Sequence, residues 1–276
     1  MRLGGPVLNN YNSPEEWIRD IKNSGYRAAY CPVEATQSDA TLHAYEMAAR
    51  DADIVIAEVG AWSNPLSPDP LQASEALKHN IVQLSLADRI GARCCVNIPG
   101  SRGEIWDGPH PKNLTSETFD RIVETVRSII DAVKPTRTFY TLETMPWMYP
   151  DSPCSYLQLL KAIDRPNFAV HMDPANLINC PSLYYSSGAL IKEFCEKLGP
   201  YIKSCHAKDV KLYSTMTTKI EEVIIGEGGM DYRTFLMEVN NLDDCPLMLE
   251  HLSTVEQYNT AASEVRKVAE DLKLTL

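Results

Sequence analysis

Four short apolar runs in this chain end on a side chain able to hold a cation: Thr138 to Glu143, Phe168 to Asp173, the run from Tyr201 that reaches His206, and Pro246 to Glu250. The terminal ligands are 30, 33 and 44 residues apart, about one strand plus one helix each, with an insertion in the last interval. Such spacing arises when successive strand-helix units all end on the same side of a parallel sheet. Three carboxylates and an imidazole meeting at one end of a barrel form an oxygen-rich shell for a hard divalent cation. Mn2+ is the first expectation, with Mg2+, Co2+ or Zn2+ as alternatives.

The rest of the chain keeps the same rhythm. Expected strands at Arg2 to Leu8, Arg27 to Cys31, Asp53 to Val59 and Ala92 to Ile98 precede the four runs above. Helical periodicity and caps place helices between them: from Asn12-Ser-Pro to about Ser24, Ser38 to Arg50, Pro70 to Ile90 closing on Gly91, and Thr115 to Val133. Further helices are expected at Ser152 to Ile163, Leu183 to Leu198, Asp231 to Asn240 and Thr254 to Leu272. Only the seventh loop, Lys211 to Met230, breaks the pattern and reads as a small hairpin or flap. Eight units predict an α/β fold, a (β/α)8 TIM barrel, with residues 1–276 as a single domain. No Gly-x-Gly-x-x-Gly follows the first strand, which removes the main support for a dinucleotide site.

The net charge of -11 and the lack of a long basic run argue against nucleic acid or an anionic membrane as a partner. No run approaches the ~18 apolar residues needed to span a bilayer, and Met1 to Val7 reads as the start of the fold, not as a signal peptide. Of the 8 cysteines, Cys94 and Cys95 are adjacent, several lie in apolar strands, and no Cys-x-x-Cys pair occurs. Reduced thiols in a cytoplasmic protein are expected.

Leu142-Glu143, His171 to Asn176, Cys205 to Asp209, Gly226-Glu-Gly228 and Leu249-Glu-His251 resemble the motifs of the xylose-isomerase-like TIM barrel superfamily, within it the sugar phosphate isomerase/epimerase group. The resemblance implies that Glu143, Asp173, His206 and Glu250 are metal ligands, with Glu143 and Glu250 also an acid/base pair. It implies a divalent-metal-dependent isomerase or epimerase of a small keto sugar or cyclitol, working by proton transfer through an enediolate held on the metal, in a homo-oligomer. A lyase or dehydratase on the same scaffold, inosose dehydratase-like or C-glycoside-cleaving, is the alternative; a non-catalytic sugar-binding or partner subunit is a third. The chain departs from the ketohexose epimerases, which carry histidine three residues after the aspartate. Asn176 stands there, a neutral amide that can hold a sugar oxygen but is a poor proton shuttle.

Strand alternation places His171 beside Asp173 in the barrel interior, as a second acid/base, a substrate clamp or a hydrogen-bonded core residue. Lys208 shares the side of His206 and could meet a substrate hydroxyl, orient Asp209 or neutralise an oxyanion. Trp62, Trp106 and Trp147 fall in loops after strands, where an indole can stack on a sugar ring or pack a lid. Arg102 could receive an anionic group and Glu227 could reach substrate from its Gly-flanked turn. His251, next to Glu250, is expected to point away from the interior.

Overall fold

The computed structural model describes residues 1–276. Its first four strand-helix units are β1 (Arg2–Gly5), α1 (Pro14–Asn23), β2 (Ala28–Tyr30), α2 (Asp39–Asp51), β3 (Val55–Gly60), α3 (Pro70–Ile90), β4 (Cys94–Asn97) and α4 (Ser116–Val133). The second half contains β5 (Phe139–Glu143), α5 (Pro153–Ile163), β6 (Phe168–Met172), α6 (Pro174–Leu177), α7 (Pro181–Tyr185), α8 (Ser187–Leu198) and β7 (Ile202–Ala207). It closes with β8 (Asp209–Tyr213), β9 (Lys219–Val223), α9 (Tyr232–Asn240), β10 (Pro246–Leu249) and α10 (Val255–Asp271). Eight parallel strands form a closed barrel in the order β1-β10-β7-β6-β5-β4-β3-β2, while β8 and β9 pair antiparallel as a separate hairpin. The architecture is the expected (β/α)8 barrel, and the hairpin falls at the anticipated seventh loop but starts two residues earlier, at Asp209. No helix is long and apolar enough to cross a membrane.

Helix starts follow local chemistry. Ser13, Ser38, Asp69, Thr115, Ser152 and Thr254 each cap a helix by accepting a backbone N–H from its first turn, and Gly91 ends α3 with φ 72°, a left-handed turn suited to glycine. The segment expected as one helix from Leu183 to Leu198 is instead α7 and α8, broken at Ser186 (φ -126°, ψ 29°), so its apolar spacing spans two helices. Several strands are also shorter than their apolar runs: β1 stops at Gly5 and β4 begins at Cys94.

Fifty-seven buried apolar residues form one continuous core, including Trp17, Tyr156, Phe194 and Phe235 from the helices and Leu3, Leu142, Val170 and Leu247 from the strands. Each large side chain removed from water adds about 1.5–3 kcal/mol. The barrel interior is filled differently. Ala28, Ala57 and Met248 form a small apolar plug, and polar residues lie above it. Two register irregularities interrupt the ladder, at Ala29/Tyr30 between β2 and β3 and at Val170/His171 between β6 and β7. The first allows Ala57 to pack in the plug while its neighbour Glu58 also faces interior groups, which strict alternation forbids.

Barrel closure depends on a close approach at Gly4. A Cβ there would lie 2.5 Å from the sulfur of Met248 and 2.6 Å from the carbonyl oxygen of Ala28, which is backbone and cannot rotate away. Gly4→Ala should therefore destabilise the fold by about 1–3 kcal/mol, seen as a lower urea midpoint at unchanged slope; an unchanged midpoint would mean that β1 packs more loosely than described.

Candidate active site

Glu143 ends β5, Asp173 follows β6, His206 sits near the end of β7 and Glu250 follows β10. One ligand atom from each lies within 4.8 Å of the others, at the end of the barrel where the strands finish. The Nδ1 of His206 is 2.9 Å from an oxygen of Glu250, 3.1 Å from Glu143 and 3.9 Å from Asp173. Lys208, two residues on and on the same side as expected, brings its ammonium to 2.5 Å from Glu250, 2.8 Å from Asp173 and 3.5 Å from Glu143. Asn176 donates to Glu143 (3.1 Å) and accepts from Lys208 (3.4 Å), so it orients one carboxylate and the ammonium together.

Asp173 also caps α6, where one oxygen accepts the backbone N–H of Asn176. Its other oxygen, and one oxygen of Glu250, are buried without a directed hydrogen bond, although Lys208 lies close to both. Burial pushes the Asp173 carboxyl up to about 7; Lys208 pulls it down, and the charges of Glu143 and Glu250 add to the rise. Burial also disfavours the Glu143 charge, but Lys208 and His206 outweigh it and hold that carboxyl well below the usual range. Glu250 is lowered as well, with His206 the main influence against burial. For His206, burial is overcome by Glu250, Glu58 and Glu143, and the ring is pushed well above the ordinary histidine value. The donor set thus fits a divalent cation: buried oxygens of Asp173 and Glu250 without directed partners converge on one place, beside the Lys208 ammonium and His206 Nδ1.

A second buried layer supports the first. Glu58 bridges two rings, with one oxygen 3.0 Å from Nε2 of His171 and the other 3.2 Å from Nε2 of His206, and it accepts the Ser204 hydroxyl. Burial raises the Glu58 carboxyl, but His206 and His171 more than reverse this, so it stays ionised. A carboxylate on Nε2 fixes the ring of His206 and leaves Nδ1 facing the three acids, the arrangement that prepares an imidazole to ligate. His171 takes the core position left open for it: its Nε2 meets Glu58 and its Nδ1 has no partner. Glu58 escaped sequence reasoning, and the only signal was a carboxylate inside the apolar run Val55 to Val59.

Other expected residues divide between cavity and scaffold. A cavity of about 620 Å³ opens above the carboxylates and is lined by Glu143, Glu250 and Asn176 together with Trp62, Trp106 and Trp147. His251 corrects an expectation. It has φ 58°, and this left-handed turn brings it to the cavity wall, 3.1 Å from Glu222 of β9 and 3.5 Å from the Lys208 ammonium. Strand alternation ended at Leu249 and no longer governs it. Asp209 does not face the cavity: its carboxylate accepts the backbone N–H groups of Val210, Gly226, Gly228 and Met230 at 2.8–3.1 Å and ties the hairpin to the turn after it. Arg102 bonds Thr118 and Glu117 at the start of α4, and Glu227 is exposed in that turn; neither lines the cavity.

A family model described as xylose isomerase-like TIM barrel matches residues 18–273. Among solved structures, D-psicose 3-epimerase from Clostridium cellulolyticum H10, determined with D-tagatose, is similar at 15% identity and a TM-score of 0.69 over 100% of both chains. A xylose isomerase-like TIM barrel protein from Mycobacterium smegmatis, in complex with magnesium, has 16% identity and a TM-score of 0.68 over 98% of this chain and 96% of that one. The probable 3-DHS dehydratase AsbF from Bacillus anthracis has 16% identity and a TM-score of 0.70 over 98% and 99%. At these identities the likeness shows the fold. No curated protein is significantly similar in sequence.

Glu58→Gln keeps the shape of the bridge but can satisfy only one ring as acceptor and removes the charge between them. It should cost about 1.5–3 kcal/mol in urea unfolding; a loss within error of zero would remove Glu58 as the support of both histidines.

Proposed function

The chain belongs to the xylose isomerase-like TIM barrel family, and from that premise we propose that it is a divalent-metal-dependent isomerase or epimerase of a small keto sugar or cyclitol. The observation that carries the proposal is the convergence of Glu143, Asp173, His206 and Glu250 from four separate strand ends, with both glutamates within 3.1 Å of His206 Nδ1. A divalent cation held by these four residues would draw electron density from a substrate carbonyl and make the adjoining C–H bond acidic. Mn2+ is proposed first, with Mg2+, Co2+ or Zn2+ also suited to the donors.

The chain's own residues supply the proton transfers. Glu143 is held as a carboxylate by Lys208 and His206 and aimed by the Asn176 amide, so it is ready to take a proton from carbon. Glu250, beside His206 Nδ1 and 2.5 Å from the Lys208 ammonium, is the group that returns one. Return to the same carbon gives an epimer, and return to its neighbour gives an isomer. Asn176, in the place where ketohexose epimerases carry histidine, holds the geometry without moving a proton. Trp62, Trp106 and Trp147 form the wall against which the substrate rests.

A lyase is the second reading, favoured by one feature. His251 stands at the cavity edge beside Glu250 and 3.5 Å from the buried Lys208 ammonium, a donor able to protonate a departing hydroxyl. One of the structural relatives, described as a probable 3-DHS dehydratase, has a similar barrel. The proposal includes a cytoplasmic location, to which eight unpaired cysteines are suited, and a homo-oligomeric state as the family resemblance implies.

Three outcomes test this. Incubating keto sugars and inososes with the protein and Mn2+ in heavy water should place deuterium on the carbon next to the carbonyl, read by mass spectrometry; loss of water from the substrate would select the lyase, and neither change across the set would defeat both readings. Glu143→Gln and Glu250→Gln should each slow that exchange by about 10²–10⁴ while substrate still binds; undiminished exchange in either variant would contradict a two-glutamate mechanism. His206→Ala should purify with a fraction of the wild-type metal content by elemental analysis, whereas equal content would place the metal elsewhere.

A further inference from the structure

The amino end of the barrel, opposite the carboxylates, holds a second cavity, of about 410 Å³. The barrel strands bring two cations to it. Arg93 precedes β4 and Lys203 is the second residue of β7; these strands are not neighbours in the barrel, yet both side chains line the one cavity. Arg93 donates to the carbonyl of Asp244 at 3.1 Å, and its contact with that carboxylate is long, 3.9 Å, because Arg2 holds the acid at 2.8 Å. Lys203 meets no carboxylate. Its ammonium lies 4.5 Å over the ring of Phe139 and donates at 3.4 Å to the carbonyl of Pro200. Burial pulls the Lys203 ammonium down and the Arg93 charge adds to the fall, as expected for a cation with too little negative charge around it.

The helices bring the opposite charge. Glu196 lies in the last turn of α8, Glu238 in the last turn of α9 and Asp243 just beyond; all three line the cavity and none is in an ion pair. Lys197, beside Glu196, is taken by Glu193 at 2.5 Å, and the last turn of α9 has no basic residue. An acid at the carboxyl end of a helix faces the negative end of the macrodipole, so both glutamates stand where helix stability alone would favour lysine. Residues that break a local rule with no local compensation mark places where something else is being served.

The rest of the lining is neutral. Pro200, Ile202 and Leu242 give an apolar strip, while Gly199 and Asn241, the residues that follow the two helices, add backbone and an amide. Burial pushes the Cys195 thiol up to about 12 and Glu238 adds to the rise, so this sulfur packs and does not react.

Cations from the strands and acids from the helices thus share one cavity without pairing. A simple anion would be repelled by three carboxylates, and a simple cation by Lys203 and Arg93. We propose that this cavity is a binding site for a small zwitterion, an α-amino acid with an aliphatic side chain. Its carboxylate lies on Lys203 and Arg93, its ammonium on Glu238 and Glu196 at the two helix ends, and its side chain on Ile202, Pro200 and Leu242. The volume is that of a small-molecule site, with room for the ligand and its waters. The site is separate from the carboxylate centre, at the other end of the barrel.

Thermal unfolding of the full chain with L-valine, L-leucine, L-isoleucine and L-methionine, followed by calorimetric titration of the best of them, tests this. At least one should raise Tm and bind, and its two halves, the acid without the amino group and the amine without the carboxyl group, should bind about tenfold more weakly or worse. Lys203→Gln and Glu238→Gln should each weaken binding of the whole amino acid by about tenfold or more. Without amino acid, Glu238→Gln should raise the urea midpoint, since it removes a charge set against the helix dipole, and this separates lost binding from lost folding. No shift with any of the four, halves that bind as well as the whole, or undiminished binding in either variant overturns the proposal.

Discussion

Glu143, Asp173 and Glu250 are drawn together out of water around one imidazole nitrogen and one ammonium, and buried carboxylates persist only where positive charge meets them. The consequence is visible in each member. Asp173 is pushed toward keeping a proton, Glu143 is held ionised, and His206 is driven toward imidazolium. Groups under such mutual constraint are poised to exchange protons or accept a cation. The same constraint explains why Glu58 lies beneath: it fixes the far side of His206 so that Nδ1 stays among the acids.

The barrel makes this concentration of charge possible at modest cost to the fold. Each acid ends a different strand, so the backbone contributes rigidity while the interior plug of Ala28, Ala57 and Met248 lies below the charged layers. The hairpin β8–β9 is a second support. Asp209 anchors its base through four backbone N–H groups, and Glu222 on its return strand holds His251 at the cavity edge. A Cβ on Gly228 would lie 2.2 Å from an oxygen of Asp209, so that glycine serves a close approach within the anchor. The Gly226-Glu-Gly228 motif thus acts through its backbone, not through Glu227.

Much of this was legible because barrel strands announce themselves as apolar runs and end on the functional face. That rule located Glu143, Asp173, His206 and Glu250, and period-two alternation placed His171 and Lys208 on the correct side. It failed where the backbone left the pattern. A register slip turned Glu58 inward from a run that read as plain core, and a left-handed turn brought His251 to a cavity it was expected to avoid. Arg102, Glu227 and Asp209 lie off the cavity for another reason: residue type and motif do not reveal that Arg102 is engaged by side chains at the start of α4, that Asp209 is engaged by local backbone, or that Glu227 stays in solvent. The break at Ser186 was likewise hidden, since α7 and α8 share one apolar rhythm.

The account rests on a single cation-binding centre, and Lys208 is its sharpest internal reporter because its ammonium now contacts both Asp173 and Glu250. Anomalous diffraction at the manganese edge from crystals grown with Mn2+ measures the point directly. The account predicts one strong peak within coordination distance of Glu143, Asp173, His206 Nδ1 and Glu250, with the Lys208 ammonium moved off Asp173. A map with no peak there, and Lys208 still seated between the two carboxylates, would contradict it.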